Sequence, residues 1–346
     1  MGLSIKDIIP KKEIELEDLN GKTIVVDAFN TLYQFLSSVR QMDGTPLMDD
    51  NKKITSHLSG ILYRNIALLE QGMKLVYVFD GKAPYLKAKT HKKRQEARDS
   101  ASEKYEQAKQ DEDIMRMKRY SSQLLRLDDE MIKESKELLE ALGVMIVQAP
   151  SEGEAEASYL CKHNLDIYAT ASQDYDSLLY GTPYLIQNLT LARKRKTISG
   201  YTEVKPELVD FEHMLDMLEI DLDQLICLGI LVGTDYNPKG VPGIGQKKAL
   251  ELVQRLKQPV LIFKEVEQKI HSLPEEDQFD WKEIFQLFHK PDVVDVELEF
   301  PKVDENKIKD ILVERHNFSE ERIDKQIERL KKINEKKKQT GLDKWF

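Results

Sequence analysis

Cysteine is scarce in this sequence. Only Cys161 and Cys227 occur in 346 residues, each inside an apolar helical pattern. That excludes a disulfide framework and points to buried thiols in a reducing cytoplasm, or in a nucleus if the source has one. There is no Cys-x-x-Cys, and the seven histidines show no zinc spacing. No apolar run approaches membrane-spanning length, and no secretory leader is visible. Lys6 stands where a myristoylation signal needs Ser or Thr. Neither a Gly-x-Ser-x-Gly elbow nor a P-loop occurs. Basic charge is also short: 52 Lys and Arg face 61 Asp and Glu, for a net charge of −9. That average argues against a polyanionic partner, but the two signs are unevenly placed along the chain.

What is present is a pattern of carboxylates. Pro-Ser-Glu152-Gly-Glu154 opens a helical run, and Gln-Asp174-Tyr-Asp176 follows a short strand ending at Ala171. Residues two apart on a regular helix point to opposite sides. Glu152 and Glu154 therefore converge only if Glu152 precedes the helix or lies in its first turn. Four acids gathered together do not all stay ionised unless cations hold them, and oxygen-rich sites suit Mg²⁺ or Mn²⁺. Each pair also has a plain structural reading. Ser151-x-x-Glu154 is a capping box, and Asp174 and Asp176 are common turn residues.

The rest of the chain shifts the balance. Gly21–Asp27, Lys74–Phe79, Val144–Gln148 and Ile167–Ala171 read as buried strands, with Tyr184–Gln187 as a fifth. Amphipathic helices are expected over Ala28–Arg40 and Thr55–Gln71. Four strands thus deliver Asp27, Asp80, Glu152/Glu154 and Asp174/Asp176 just past their C-terminal ends. In a parallel sheet those ends share one edge. Asp235, closing an apolar helix, is a seventh acid for the same place. Seven carboxylates suit two cations about 4 Å apart, the arrangement used for phosphoryl hydrolysis.

Three basic stretches accompany the acids. Residues 83–140 form a polar, helix-prone insertion whose first part carries Lys87 and Arg94, seven apart and on one helix face. Its middle, Glu103 to Asp113, is acidic and lacks a wide apolar stripe. Leu191-Ala-Arg193-Lys194-Arg195-Lys196 reads as a compact basic loop suited to phosphate or simply to solubility. Gly240-Val-Pro-Gly243-Ile-Gly245-Gln-Lys247-Lys248 opens a helix whose N-terminus favours a phosphate. Residues 274–336 are expected to be mainly helical, and Lys331–Lys338, with five lysines, reads as a flexible linker. Beyond it, Trp345-Phe346 has no core to join, which marks a docking peptide.

Together and in this order, these motifs resemble those of archaeal flap endonucleases of the structure-specific 5′ nuclease family, over essentially the whole chain. The resemblance implies an α/β fold: a mostly parallel central sheet flanked by helices (a PIN-like nuclease core), a helical arch and a helix–two-turn–helix motif. It implies an N-terminal nuclease region over 1–102, an arch over 83–140 and an internal nuclease region over 120–262. The helix–two-turn–helix covers 223–257, a helical region 263–330, and a flexible tail 331–346 carries a clamp-binding peptide at 339–346. The implied activity is two-metal hydrolysis of DNA at 5′ flaps, nicks and gaps, in replication and repair. Asp27, Asp80, Glu152 and Glu154 match one metal cluster, and Asp174, Asp176 and Asp235 the other. Asp80 and Glu154 are also placed among the catalytic residues. Lys87 and Arg94 match the pair that positions the scissile phosphate, and Tyr33 an aromatic on which a base stacks. Gly2 is implied to lie near the active site. DNA contacts are implied for Thr55, for Arg193, Lys194, Arg195 and Lys196, and for Gly243, Gly245, Lys247 and Lys248, with K⁺ held by the hairpin backbone. Gln339-x-x-Leu342-x-x-Trp345-Phe346 resembles the peptide that binds a sliding clamp of the proliferating-cell-nuclear-antigen type. Gln173 stands where some relatives carry another acid.

Three other readings start from the same residues. A PIN-like ribonuclease would share the acidic site and cut single-stranded RNA without a junction. A magnesium-dependent phosphatase would need neither arch nor hairpin. A clamp-binding scaffold would have no use for seven acids.

Overall fold

Runs of β-branched and aromatic residues build the centre of the molecule. The computed structural model describes residues 3–342, apart from 42–43, 112, 122–123, 125, 192–193 and 198–199. The strands are β1 (Lys12–Glu13), β2 (Thr23–Asp27), β3 (Lys74–Phe79), β4 (Met145–Gln148), β5 (Ile167–Ala171), β6 (Tyr184–Gln187), β7 (Lys194–Thr197), β8 (Gly200–Glu203) and β9 (Glu207–Asp210). Seven of them form one sheet in the order β1-β9-β6-β5-β2-β3-β4. The five from β6 to β4 in that order run parallel, and β9 and β1 complete the edge antiparallel. Every residue of β2 is buried, as expected for a central parallel strand covered on both faces. The chain winds from β2 outward to β3 and β4, then returns to the other side of β2 as β5. The gap between β2 and β5 is therefore the topological switch point, where open α/β sheets bind ligands.

Helices cover both faces: α1 (Ala28–Ser38), α2 (Ser56–Glu70), α3 (Ala88–Gln110), α4 (Ile114–Ser121), α5 (Asp129–Ala141), α6 (Gly153–His163) and α7 (Asp176–Leu179). They continue as α8 (Phe211–Leu218), α9 (Leu222–Val232), α10 (Gln246–Leu256), α11 (Pro259–His271), α12 (Trp281–His289), α13 (Glu305–Lys309) and α14 (Glu320–Leu342). Strand alternation sorts the cores. Ile24, Val26, Tyr77 and Phe79 pack with α1, α2, α5 and α14, whereas Val25, Val76 and Val78 pack with Ala157 and Leu160 of α6. A further core lies under α8 to α12 and takes in Leu3 and Ile5 from the start of the chain.

The expected strands and helices recur with ends shifted by a residue or two. Four differences have physical causes. Residues 290–303, expected to be helical, form neither helix nor strand. Val296, Leu298 and Phe300 alternate with acids and pack on the α6 side of the sheet. Period-two alternation, not a helical period, describes that segment. The expected linker at Lys331–Lys338 is instead part of α14, which runs on to Leu342. Its buried Ile323, Ile327 and Leu330 anchor the helix, and strong helix formers propagate it. Within the 83–140 insertion only α3 and α4 pair as a separate hairpin, because α5 buries Leu138 and Leu139 in the main core. Finally, Lys194–Thr197 pairs antiparallel with Gly200–Glu203, so the expected basic loop is a two-stranded ribbon. No helix among the described residues is long and apolar enough to cross a membrane.

A histidine cluster ties distant segments together. His316, 3% exposed, faces Asp49 at 2.9 Å through Nδ1 and Glu134 at 3.0 Å through Nε2. It thereby joins the loop before α2, α5 and the segment before α14. Beside it His57, in the first turn of α2, is wholly buried with no hydrogen-bond partner on either ring nitrogen. Burial, reinforced by the neighbouring His316, holds His57 down at about 4. The unfolded chain takes up a proton on this ring near pH 6.5, so folding stability from this group falls as pH drops from there towards 4. Replacing His57 with Leu is expected to shrink the loss of melting temperature between pH 7 and pH 5. Equal losses in the variant and the wild type, measured by calorimetry, would rule out a neutral buried His57.

Candidate metal and nucleic-acid site

The acids are brought together by the strand ends. Asp27 is the last residue of β2 and the N-cap of α1, accepting the Asn30 main-chain N–H at 3.0 Å. Asp80 follows β3, and its Oδ1 accepts the Gly153 N–H at 2.6 Å. A Cβ at residue 153 would lie 2.6 Å from that oxygen, so this contact requires glycine. Glu152 is the N-cap of α6 and Glu154 lies in its first turn, which resolves their two-residue spacing. Asp174 lies in the loop after β5, and Asp176 starts α7. Asp235 follows the end of α9. Thr234 and Asn237 brace its turn through a buried 2.8 Å side-chain hydrogen bond, and Asn237 also donates to the Ile230 carbonyl at 2.7 Å.

Electrostatics link all seven. Burial comes first in raising the Asp27, Glu152, Glu154 and Asp176 carboxyls above the ordinary range. Repulsion adds to it: from Asp80 and Asp174 on Asp27, from Asp176, Asp27 and Asp174 on Glu154, and from Asp235 and Asp174 on Asp176. Lys87, in the turn after β3 (Tyr85–Lys87), enters this group with only 14% of its side chain exposed. Its Nζ lies 2.5 Å from Glu152 Oε2 and 3.3 Å from Asp235 Oδ2. Burial alone would lower that ammonium, but Glu152, Asp235 and Asp80 outweigh it and keep it charged.

Among the described residues no three His, Cys, Asp or Glu side chains are close enough to grip one ion as they stand. The acids converge without closing on a point, and Lys87 is lodged between two of them. The donor set nevertheless fits divalent ions. Glu152 Oε1 and Asp176 Oδ1 are buried with no hydrogen-bond partner, and such orphaned carboxylate oxygens are stabilised by a cation. Hard oxygen ligands of this kind suit Mg²⁺ or Mn²⁺.

Sequence reasoning missed two residues here. Asn30 bridges α1 to the Asp174 loop at 2.9 Å. Ser172 Oγ lies 3.3 Å from Glu154 Oε1 and 3.4 Å from Asp27 Oδ2, and it accepts the Asp174 N–H at 3.2 Å. Their only signal is position: Asn30 is three residues after the capping Asp27, and Ser172 directly precedes Gln173-Asp174.

The other expected residues are placed as follows. Tyr33 on α1 is 38% exposed. Arg94 lies on α3, but its side chain is outside the described part. Thr55, expected to touch DNA, is the N-cap of α2 and only 3% exposed, so its hydroxyl is not offered to solvent. Gly243 has φ +72° and Gly245 caps α10, both facing open space, with exposed Lys247 and Lys248 in the first turn. Lys194, Arg195 and Lys196 lie on β7, while Arg193 is outside the described residues. Gln339 and Leu342 fall on α14; Trp345, Phe346 and Gly2 lie outside the described residues. The Leu3 main chain, next to Gly2, hydrogen-bonds Asp176.

Mg²⁺ is expected to raise the melting midpoint above its value in EDTA, since an ion that binds only the folded chain stabilises it. Asp176→Asn should shrink that rise. Lys87→Met should keep or enlarge it, because the competing ammonium is gone, while slowing any phosphodiester cleavage about 10²- to 10³-fold. Calorimetry with and without Mg²⁺ measures the first two effects, and a wild-type midpoint indifferent to Mg²⁺ would contradict the fit.

Comparison with known proteins identifies the family. The XPG N-terminal domain model matches residues 3–101, and the XPG I-region model matches residues 143–235. A flap endonuclease 1 from Pyrococcus abyssi is 48% identical over 348 residues, covering 100% of this chain and 98% of that protein. The flap endonuclease-1 structure from Methanococcus jannaschii superposes with a TM-score of 0.76 at 38% identity, covering 97% of this chain and 100% of that one. The catalytic core of Rad2, solved in complex with DNA substrate, shares the fold at a TM-score of 0.69 and 23% identity, covering 95% of this chain and 100% of that one. The chain belongs to the flap endonuclease 1 family.

Proposed function

We propose that this flap endonuclease, a structure-specific hydrolase of phosphodiester bonds acting in DNA replication and repair, cuts 5′ flaps at the β2–β5 switch point. The observation that carries this is the convergence of four strand ends and Asp235 on one set of seven carboxylates beside Lys87, three of them buried. Asp27, Asp80, Glu152 and Glu154 would hold one Mg²⁺ (or Mn²⁺), and Asp174, Asp176 and Asp235 a second. Divalent ions bound there supply Lewis acidity and a water of lowered pKa. The chain's own groups do the rest. Lys87, once it releases Glu152 and Asp235, has the reach and charge to stabilise a scissile phosphate, with Arg94 further along the same helical segment. Tyr33, on α1 six residues after Asp27, presents an exposed ring on which a base can stack.

Substrate selection follows from the surroundings. The open backbone at Gly243 and Gly245, with Lys247 and Lys248, suits a phosphate of the duplex and a K⁺ held by main-chain oxygens. The basic ribbon at Lys194–Lys196 is a second backbone contact. The α3–α4 hairpin stands beside Lys87 and serves as the arch for the 5′ strand. These contacts read phosphate and shape, so sequence preference is absent. The regions 1–102, 83–140, 120–262 and 263–330 would divide the labour accordingly. Residues 339–346 would bind a sliding clamp at the end of α14, and the site of action would be cytoplasmic. The full-length similarity to flap endonucleases does not favour the ribonuclease reading.

Labelled double-flap DNA, single-stranded RNA and plain duplex, each with Mg²⁺ and with EDTA, separate the readings. One metal-dependent cut at the flap base is expected. Junction-independent cutting of RNA would instead support the ribonuclease. Asp80→Ala and Asp174→Ala should lose cleavage but keep flap binding, and full activity in either would refute the carboxylate assignment. Removing residues 339–346 should leave basal cleavage intact and abolish stimulation by a sliding clamp.

A further inference from the structure

Asp27 and Asp174 lie on separate elements and repel one another. One residue spans them, by its side chain at one end and its main chain at the other. Asn30 Nδ2 donates to Asp174 Oδ2 at 2.9 Å, while its Oδ1 accepts the Gln173 main-chain N–H at 3.3 Å. The orientation of this amide is forced. Gln173 N–H can only donate, so the amide oxygen faces it and the NH₂ group falls to Asp174. The main-chain N–H of Asn30 in turn donates to Asp27 Oδ1 at 3.0 Å. The far end of the bridge is held as well: Gln187 on β6 donates to the Gln173 carbonyl at 2.8 Å.

We propose that Asn30 is a positioning residue that fixes Asp174 relative to Asp27 and so sets the spacing of the two divalent-ion positions. This rests on the assignment of the carboxylates to two ions made above. Both polar atoms of the side chain are spent on the Asp174 loop, and the helix-capping bond comes from its main chain. A side-chain role in capping or in the core is therefore excluded. A neutral donor is the type required. It occupies a lone pair of one Asp174 oxygen and leaves the carboxylate charge and the other oxygen for an ion. A lysine there would compete with the ion, an aspartate would add repulsion, and a serine would not span the gap. Partners that orient metal-ligating side chains typically contribute about 10- to 100-fold to metal affinity.

The test is Mn²⁺ binding to the full-length chain without DNA, followed by the EPR signal of free Mn²⁺, alongside Mg²⁺ titrations of flap cleavage. Wild type is expected to bind two ions and Asp174→Ala to lose one. Asn30→Ala should keep two but weaken one by about 10- to 100-fold. Its half-saturating Mg²⁺ concentration should rise in step, while kcat at saturating Mg²⁺ falls far less. Its melting midpoint in EDTA and its metal-free DNA binding should match wild type. If the alanine variant melts lower, Asn30→Leu, with the same branched arrangement of heavy atoms, carries the same test. Wild-type Mn²⁺ affinity in these variants, or a low kcat that Mg²⁺ does not rescue, would overturn the proposal. If wild type binds no Mn²⁺, or Asp174→Ala loses none, the ion assignment fails instead.

Discussion

Seven carboxylates repel each other, with Asp27, Glu152 and Asp176 buried among them, and the rest of the structure is arranged to tolerate that. Charges a few ångströms apart in a partly dry interior interact far more strongly than in water. Left on loops, they would drift apart. Here six of them are fastened at or just beyond strand ends or at helix N-termini, and the seventh is held by the Thr234–Asn237 turn. Lys87 offsets part of the charge, and neutral donors from Asn30, Ser172 and Gly153 take up individual oxygens. The sheet provides the stiffness. With β2 buried along its whole length, Val26 paired on both sides and Asp27 itself paired with Val78, Asp27 is held at the end of the central strand.

The charge pattern also explains how a chain of net −9 handles a polyanion. Seven of the acids gather at one sheet edge around Lys87. Exposed Lys247 and Lys248 stand on the first turn of α10, and α3 begins one residue after Lys87.

Much of this was legible in the sequence, for a physical reason. A buried parallel strand must be a β-branched run, and an acid directly after it must lie at the sheet edge. Asp27, Asp80, Glu152 and Asp174 were therefore placed by local pattern alone. Contacts between chemically ordinary residues were hidden. Nothing local tells that Asn30 faces Asp174 or that Lys87 reaches both Glu152 and Asp235. Burial of Thr55 depends on how the loop before α2 folds back, with its N–H on the Leu47 carbonyl. The run at 290–303 was misread because its alternation was absorbed into a helical neighbourhood. The helix through Lys331–Lys338 was missed because lysine density looks like a linker until buried isoleucines upstream are seen to anchor it.

Asp235 has a position whose consequence concerns chain length. Its carboxylate meets Lys87, its carbonyl accepts the Thr90 hydroxyl at the root of α3, and five residues later Gly240, with φ +56°, packs on the Val232 carbonyl as the hairpin begins. The Val241 N–H closes the turn on Leu231 at 2.8 Å. One extra residue between 232 and 241 would displace the acid, the root of α3 and the loop leading into α10 together. Between α3 and α4, by contrast, added residues would lengthen a hairpin tip that carries none of these contacts. The fold thus has one stretch with no slack, between 232 and 241, and one with far more, between α3 and α4.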